Sequence, residues 1–356
     1  MLYYLAGILT DIFGPARLFQ SYTVLIITGI YAGFVLTQML LPKFYAFLPH
    51  DRGRDFTLSA EAAKGKPTGS GFVFITFFAV IVFFIVPLES SHIIILILTW
   101  LSMLTGFLDD TSKIPWGEYR KGIFDLLISF AAAWTLYFFN TGNSDDGKIY
   151  CWLPFIAQQI AVNPVVFVCV SAIIIWISIN TTNCSDGVDG LSGTLVLIAL
   201  ITLGAIFYFI LGHKVFSAYL LVPHSDDGAI WGIMSFTLGG ILMGYLWHNA
   251  FPSSVLMGDA GSRALGFFLG ACVIKTGNPF LIFAISFILL VNGGVGILKI
   301  VLLRFFKLHI FKTVRFPLHD HVRNVRKWST TQVLIKFVIL QILITIMLTG
   351  IIFKVR

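Results

Sequence analysis

The chain has 356 residues, of which 57% are hydrophobic and 12% charged, and a formal net charge of +7. A soluble domain carries about 25% charged residues, so this chain lacks the polar surface that a water-soluble globule needs. The basic excess does not call for a nucleic-acid partner, because membrane proteins gather Lys and Arg on their cytoplasmic loops.

In chain order, Leu2, Leu5, Ile8 and Leu9 give residues 1–20 one apolar side and predict a short interfacial helix. Apolar blocks of roughly 20 residues follow, the length that crosses a hydrocarbon core. They predict ten spans, near 22–46, 71–88, 92–108, 122–140, 163–179, 190–211, 229–248, 262–275, 278–304 and 331–353. The connections are short, so residues 1–356 read as one all-α integral membrane domain with ten transmembrane helices. No internal repeat is evident. The N-terminus lacks a basic stretch followed by a small-residue cleavage site, so no removable signal peptide is expected. Cys151, Cys169, Cys184 and Cys272 show no metal-ligand spacing, and no disulfide framework is expected.

Basic residues set the orientation. Loops after odd-numbered spans hold most of them, including Lys43, Arg52, Arg54, Lys64, Lys66, Lys113, Arg120, Lys121, Arg263 and a dense group between Arg304 and Lys327. The other side holds Arg17, Lys148, Lys214, Lys275, Lys354 and Arg356. This bias places the odd-span loops in the cytoplasm and both termini outside.

Four polar clusters then fall on that same face. Asp109, Asp110 and Lys113 follow the third span. Adjacent carboxylates beside hydrocarbon are costly and usually functional, and Lys113 stands at helical spacing to neutralise either one. Asn180, Asn183, Asp186 and Asp189 recur every three residues, which would stack them on one helical face. Gly187 and Gly190 between them permit positive φ and close approach of a ligand to the backbone. The run lacks the twelfth-position glutamate of a calcium-binding EF-hand. Next, Asn249-Ala-Phe-Pro leads to Met257-Gly-Asp259-Ala-Gly-Ser, a tight loop that presents a carboxylate beside a helix start. Such a start offers free N–H groups to a phosphate, and a carboxylate beside a phosphate suits Mg²⁺. The last cluster is Pro317-Leu-His319-Asp320-His321, in the most basic loop. Its two histidines have no cysteine or third histidine near in sequence, so phosphate or substrate contact fits better than zinc. Phe305, Phe306, Phe311 and Phe316 interleave with basic residues and predict a segment in the headgroup layer. The chain has neither a Gly-x-x-x-x-Gly-Lys-[Ser/Thr] loop nor a Gly-x-Ser-x-Gly elbow. Metal-assisted phosphoryl transfer at a membrane surface fits the set best. An ion-coupled transporter would instead place its charges near mid-span and in paired broken helices.

These motifs, Asp109-Asp110-x-x-Lys113, Asn180-x-x-Asn183-x-x-Asp186-Gly-x-Asp189-Gly-Leu, Asn249-x-Phe-Pro and Met257-Gly-Asp259-x-Gly-Ser, resemble those of the polyprenyl-phosphate N-acetylhexosamine-1-phosphate transferases. Pro67-Thr68-Gly-Ser-Gly, the Met1-Leu2-Tyr3 start and Pro317-Leu-His319-x-His321 resemble the branch that handles phospho-N-acetylmuramoyl-pentapeptide. The resemblance covers nearly the whole chain. It implies transfer from UDP-N-acetylmuramoyl-pentapeptide to undecaprenyl phosphate, giving lipid I and UMP, the first membrane step of bacterial peptidoglycan synthesis. It also implies Mg²⁺ as cofactor, a site on the cytoplasmic side of the cell membrane and a homodimer. Asp259 would be the principal Mg²⁺ ligand, and Asp109 the base or orienter of the lipid phosphate, supported by Asp110. Lys113 and Lys121 would contact phosphates. Asp189 and the Gly187 backbone would hold uracil, while Asn183, Asp186 and Thr68 would line the nucleoside side. His319 and His321 would bind the sugar-peptide or its diphosphate. Asn180 and Asn249 belong to the same motifs. The alternative within the family is transfer of GlcNAc-1-phosphate to the same lipid. Direct attack by the lipid phosphate and a two-step path through a protein carboxylate both stay open. The chain departs from the family pattern in three places. Asp320 replaces the middle of three histidines, Leu256 stands where an aromatic residue stacks on uracil, and Asn183-Cys-Ser-Asp186 replaces Asn-Leu-Thr-Asp.

Overall fold

The computed structural model describes residues 1–53, 63–142 and 147–355. Arg54 and Arg356, two of the charges that bear on orientation, lie outside the described residues. The chain opens with α1 (Leu2–Leu9) and a 3₁₀ segment at Gly14–Gln20. Then come α2 (Tyr22–Leu40), α3 (Gly71–Ile85), α4 (Ser90–Thr111) and α5 (Glu118–Gly142). A small antiparallel hairpin, β1 (Ile149–Cys151) with β2 (Ile160–Val162), precedes α6 (Pro164–Ser185). The second half holds α7 (Leu191–Ala205), α8 (Lys214–Tyr219), α9 (Gly228–Asn249) and α10 (Gly258–Lys275). It ends with the short α11 (Leu281–Ile285) and α12 (Phe287–Leu289), then α13 (Val295–Phe306), α14 (Leu318–Arg326) and α15 (Thr330–Lys354).

The protein is a mostly helical, multi-pass membrane protein. Among the described residues, eight helices are long and apolar enough to cross a membrane. Two further predicted spans are helical but differ in kind. Gly71–Ile85 is shorter, and α10 carries Asp259, Arg263 and Lys275 in 18 residues. Arg263 is therefore not a loop charge. It lies inside α10 and is 1% exposed.

Burial follows the small residues. In a membrane the apolar solvent supplies no drive to bring helices together, so tight backbone contact must hold them. Helices α9 and α10 form the centre of the bundle, and α10 is buried from Asp259 to Ile274. A Cβ on Gly106 of α4 would lie 2.4 Å from the Asp259 carbonyl oxygen, so α4 can reach the first turn of α10 only through glycine.

The predicted span 278–304 is broken rather than continuous. Ser286 leaves helical geometry (φ −130°, ψ 20°), and a π-helical segment spans Leu290–Gly294. Hydrocarbon offers no water to the freed backbone groups, so side chains must. Gln341 of α15 accepts the Ile288 N–H (2.8 Å), and Thr345 donates to the Ala284 carbonyl (2.9 Å).

Met1 and Phe353 lie at the end of the bundle opposite the Asp109–Asp259 cluster. The Met1 amine reaches the Phe83 carbonyl at the far end of α3, and the Phe353 ring packs on Trp152 beside the hairpin. All four cysteines are free thiols.

Candidate active site

The site is assembled from helix ends. Asp109 and Asp110 finish α4, Lys121 begins α5, Asn183 finishes α6, Asn249 ends α9 and Asp259 begins α10. Lys121 is the hinge of the charge arrangement. Its ammonium pairs with Asp109 Oδ2 and, at 2.8 Å, with Asp259 Oδ2. Asp109 Oδ1 accepts the Trp116 N–H (2.6 Å). Asn183 Nδ2 donates to Asp259 Oδ1 (3.0 Å) and to Ser262 Oγ (3.0 Å). Asp109 and Asp259 are 8% and 3% exposed, so their charges act across a medium poorer than water in screening.

Asp110 does something different from its neighbour. Its carboxylate accepts the N–H groups of Asp259 (3.1 Å) and Ala260 (3.0 Å). It thus caps α10 and meets the positive end of the helix dipole. The fit requires glycine: Gly258 has φ +69°, and a Cβ there would stand 2.4 Å from Asp110 Oδ2. The expected phosphate-ready helix start is therefore corrected, because Asp110 already holds two of its N–H groups.

Two adjoining cavities meet at this cluster. One, of about 220 Å³, is lined by Arg52, Asp109, Asp110, Lys121 and Asp259. The other, of about 320 Å³, is lined by Asp186, Gly187, Asp189, Leu256, His319 and Asp320. Asp51, Thr68 and Asn183 border both. Carboxylates outnumber cations along these walls, which favours an added metal cation.

The family model described as glycosyl transferase family 4 matches residues 92–277, the stretch that supplies Asp109, Lys121, Asn183 and Asp259. A protein of Treponema pallidum (strain Nichols), named phospho-N-acetylmuramoyl-pentapeptide-transferase, is 54% identical over 97% of this chain and 94% of its own length. Proteins of the same name from Campylobacter curvus (strain 525.92) and Nautilia profundicola are 31% and 29% identical. The first of these alignments covers 92% of this chain and 94% of the relative, and the second covers 96% and 97%. The chain belongs to the phospho-N-acetylmuramoyl-pentapeptide-transferase family.

Within this transferase fold, the remaining expected residues divide. The three-residue spacing from Asn180 to Asp189 does not continue as one helical face. Helix α6 ends at Ser185, Asp186 is its cap, and Asp189 lies in the turn before α7. The turn needs Gly190 at φ +77°, where an L side chain is strained. Gly187 serves by closeness instead, since a Cβ there would meet His319 Nε2 at 2.5 Å. Asn180 donates to the Trp176 carbonyl one turn back (2.9 Å) and lies on neither cavity wall. Asn249 ties the site's loops, accepting the Gly190 N–H and donating to the Val255 carbonyl. Lys113 lies beyond the end of α4 and is exposed, and among the described residues no carboxylate is within ion-pair distance of it. Lys121 takes the neutralising place expected for Lys113. Asp189 Oδ2 accepts the Ser253 N–H (3.0 Å) and sits 3.9 Å from Lys66 Nζ. Leu256 does line the larger cavity, beside Gly187 and Asp189.

The two histidines part company. His319 is 2% exposed, and Asn292 Oδ1 in the π segment accepts both its backbone N–H (2.8 Å) and Nδ1–H (3.2 Å). Burial, helped by Arg323, holds the ring's pKa down at about 3. The ring is neutral at pH 7, with its Nε2 lone pair toward Gly187. His321 turns away from the cavity and accepts the Arg315 N–H (3.3 Å). Asp320 lines the cavity, and burial raises its pKa against the opposing pull of Arg315 and Arg323. Sequence reading missed Asp51, Lys66, Asn292 and the buried Asp125. Asp125 sits one turn after Lys121 in an apolar helix, and an intramembrane acid was the available signal.

Proposed function

We propose that the chain transfers phospho-N-acetylmuramoyl-pentapeptide from its UDP-activated form to undecaprenyl phosphate, giving lipid I and UMP at the cytoplasmic side of the bacterial cell membrane. The family supports the reaction. One observation carries the chemistry: Asp109, Lys121, Asn183 and Asp259 converge where two cavities meet. Two anionic substrates must approach each other there, and the chain supplies cations at that junction. Lys121 and Arg52 suit the phosphates in the smaller cavity. The larger cavity suits the uridine and sugar-peptide, with Asp189, Gly187 and Leu256 at the base and neutral His319 Nε2 as a hydrogen-bond acceptor.

Mg²⁺ fits the donor set. The Asp259 and Asp109 carboxylates are hard oxygen donors, and the Lys121 ammonium between them marks a point within reach of both. Asp259 would be the principal ligand. When bound, the metal would supply charge neutralisation on the diphosphate and the leaving UMP. A phosphate monoester is largely ionised at neutral pH, with a second pKa of about 6. Asp109, held by Trp116 and Lys121, therefore serves as an orienter of the lipid phosphate more than as a base.

The sidedness rests on the basic residues, which crowd the loops around this end of the bundle. With α3 and α10 counted as crossings, ten transmembrane helices leave both termini in the periplasm. A homodimer is proposed on the resemblance alone, and a molar mass of one chain in detergent would remove it.

Purified protein given Mg²⁺, a polyprenyl phosphate and UDP-N-acetylmuramoyl-pentapeptide is expected to release UMP, and not to do so with UDP-GlcNAc. The reverse preference would transfer the reading to GlcNAc-1-phosphate. A membrane-impermeant label that reached a cysteine beside Asp109 from the outer face would overturn the orientation.

A further inference from the structure

Helices α5 and α10 start at the same end of the bundle and run parallel. Lys121 of α5 pairs with Asp259 of α10, and one turn deeper Asp125 pairs with Arg263. Both rungs join residues 138 apart in sequence. Near the far ends, Lys275 Nζ donates to Asn140 Oδ1 (3.2 Å) and ties the same two helices again.

The two rungs have opposite polarity. On α5 the order is cation then anion, and on α10 it is anion then cation. A slip of one turn would set Lys121 against Arg263, or Asp125 against Asp259. Either places like charges together away from water, where repulsion is strong. The second rung is deeply buried, Asp125 and Arg263 being 1% exposed each. It is also a poor stabiliser. Arg263 gives Nε (3.0 Å) and Nη2 to the same Asp125 oxygen, and among the described residues its buried Nη1 has no hydrogen-bond partner. Buried ion pairs of this kind often add nothing to stability over apolar side chains of similar size, and their best attested use is to fix register.

We infer that Asp125 and Arg263 are positioning residues: their ion pair locks the register of α5 against α10 and so holds Lys121 between Asp109 and Asp259. The inference rests on the proposed transfer reaction only for its kinetic readout.

The test compares wild type, the double variant Asp125→Leu/Arg263→Leu and the exchanged pair Asp125→Arg/Arg263→Asp, each as the full chain in detergent. The double variant is expected to unfold at a temperature near that of wild type. Its kcat for UMP release should fall about 10- to 100-fold, the scale of a small misplacement of reacting groups. KM for the UDP substrate should stay within about threefold, because ground-state binding is not what the pair controls. Mg²⁺ alone should raise the unfolding temperature of wild type, by binding the folded state, and raise that of the double variant less. A folded double variant with wild-type kcat and a wild-type Mg²⁺ shift overturns the inference. If the double variant fails to fold, the exchanged pair Asp125→Arg/Arg263→Asp decides. It keeps an ion pair but gives both rungs the same polarity, so a slip no longer sets like charges together; a lowered kcat at unchanged KM supports the inference and an unchanged kcat overturns it. Wild-type protein that released no UMP would refute the transfer reading, and the Mg²⁺ shift would still judge the register.

Discussion

The bundle carries a lysine–aspartate knot at each end, and the two differ in what they leave over. At the end away from the site, Asp227 accepts from Ser225 Oγ (2.6 Å) and Trp231 Nε1 (3.2 Å), pairs with Lys275 (2.8 Å) and faces His92 Nε2 at 3.4 Å. Every demand of that carboxylate is met from within the chain. Glu89, His92 and Asp227 bring ligand atoms within 4.8 Å of one another. The Glu89 N–H nonetheless donates to His92 Nδ1 (3.3 Å), which leaves the ring proton on Nε2, and Lys275 already occupies Asp227. A cavity borders each knot, but at the other end one ammonium serves two carboxylates. The lesson is that the same residue pair is architecture when one ammonium meets one carboxylate and a working site when two carboxylates share one ammonium.

Removing Asp259 should separate the two ends most sharply. Asp259→Ala is expected to lower kcat for UMP release by about 10³-fold, the upper range for losing one preorganised charge-stabilising group. Retention of normal activity would remove the proposed metal site. Lys121→Met should follow, with a loss of about 10²-fold in kcat/KM, since it strips a cation from the phosphates and leaves two carboxylates facing each other.

The knot at Asp227 should respond in stability rather than rate. Asp227→Asn leaves the half-buried Lys275 without its charge partner and should cost about 3 kcal/mol in the unfolding free energy. Its kcat should stay within about threefold of wild type, the reading for a residue outside the transition state. The pH dependence has a definite sign. Burial pushes the Asp227 carboxyl up, but His92, Lys275 and Ser225 together outweigh it and hold it well below the usual carboxylate range. Its stabilisation is therefore complete above its unfolded value of about 3.9 and is lost as pH falls below that toward the folded value. Acid unfolding curves of wild type and Asp227→Asn should converge over that window. Curves that stayed parallel down to strong acid would contradict the assignment.

The smallest effects concern the histidines. With its pKa at about 3, His319 does not titrate in the neutral range. His319→Gln should lower activity without adding or removing a limb of the pH–rate profile there. His321→Ala should stay within about twofold of wild type, since a surface substitution that touches no reacting group has little to change. A large loss in His321→Ala would mean that His321 turns into the cavity when substrate binds.

Much of the fold was legible because hydrocarbon imposes a one-dimensional rule: apolar blocks of a set length cross it. The break after Ile285 was not, because Gln341 and Thr345, far along the chain, supply the hydrogen bonds that permit it. In the site, Asp109, Asp259 and Asn183 were readable as acids and amides at span ends. The division of labour between Asp109 and Asp110 was not. Adjacent residues on a helix point in different directions, and only the position of α10 decides which one caps it.

The sequence by itself determined a membrane protein with its acidic, amide and histidine motifs at the same ends of its helices, and the family that its motifs match. Those are properties of composition and local spacing. Tertiary structure alone decided that Lys121 and not Lys113 bridges the carboxylates, that Asp110 fills the helix start expected to receive phosphate, and that Arg263 belongs to a buried pair with Asp125. Each depends on which side chains from distant segments meet. Coulombic and hydrogen-bond energies are set by those distances, which no local pattern encodes.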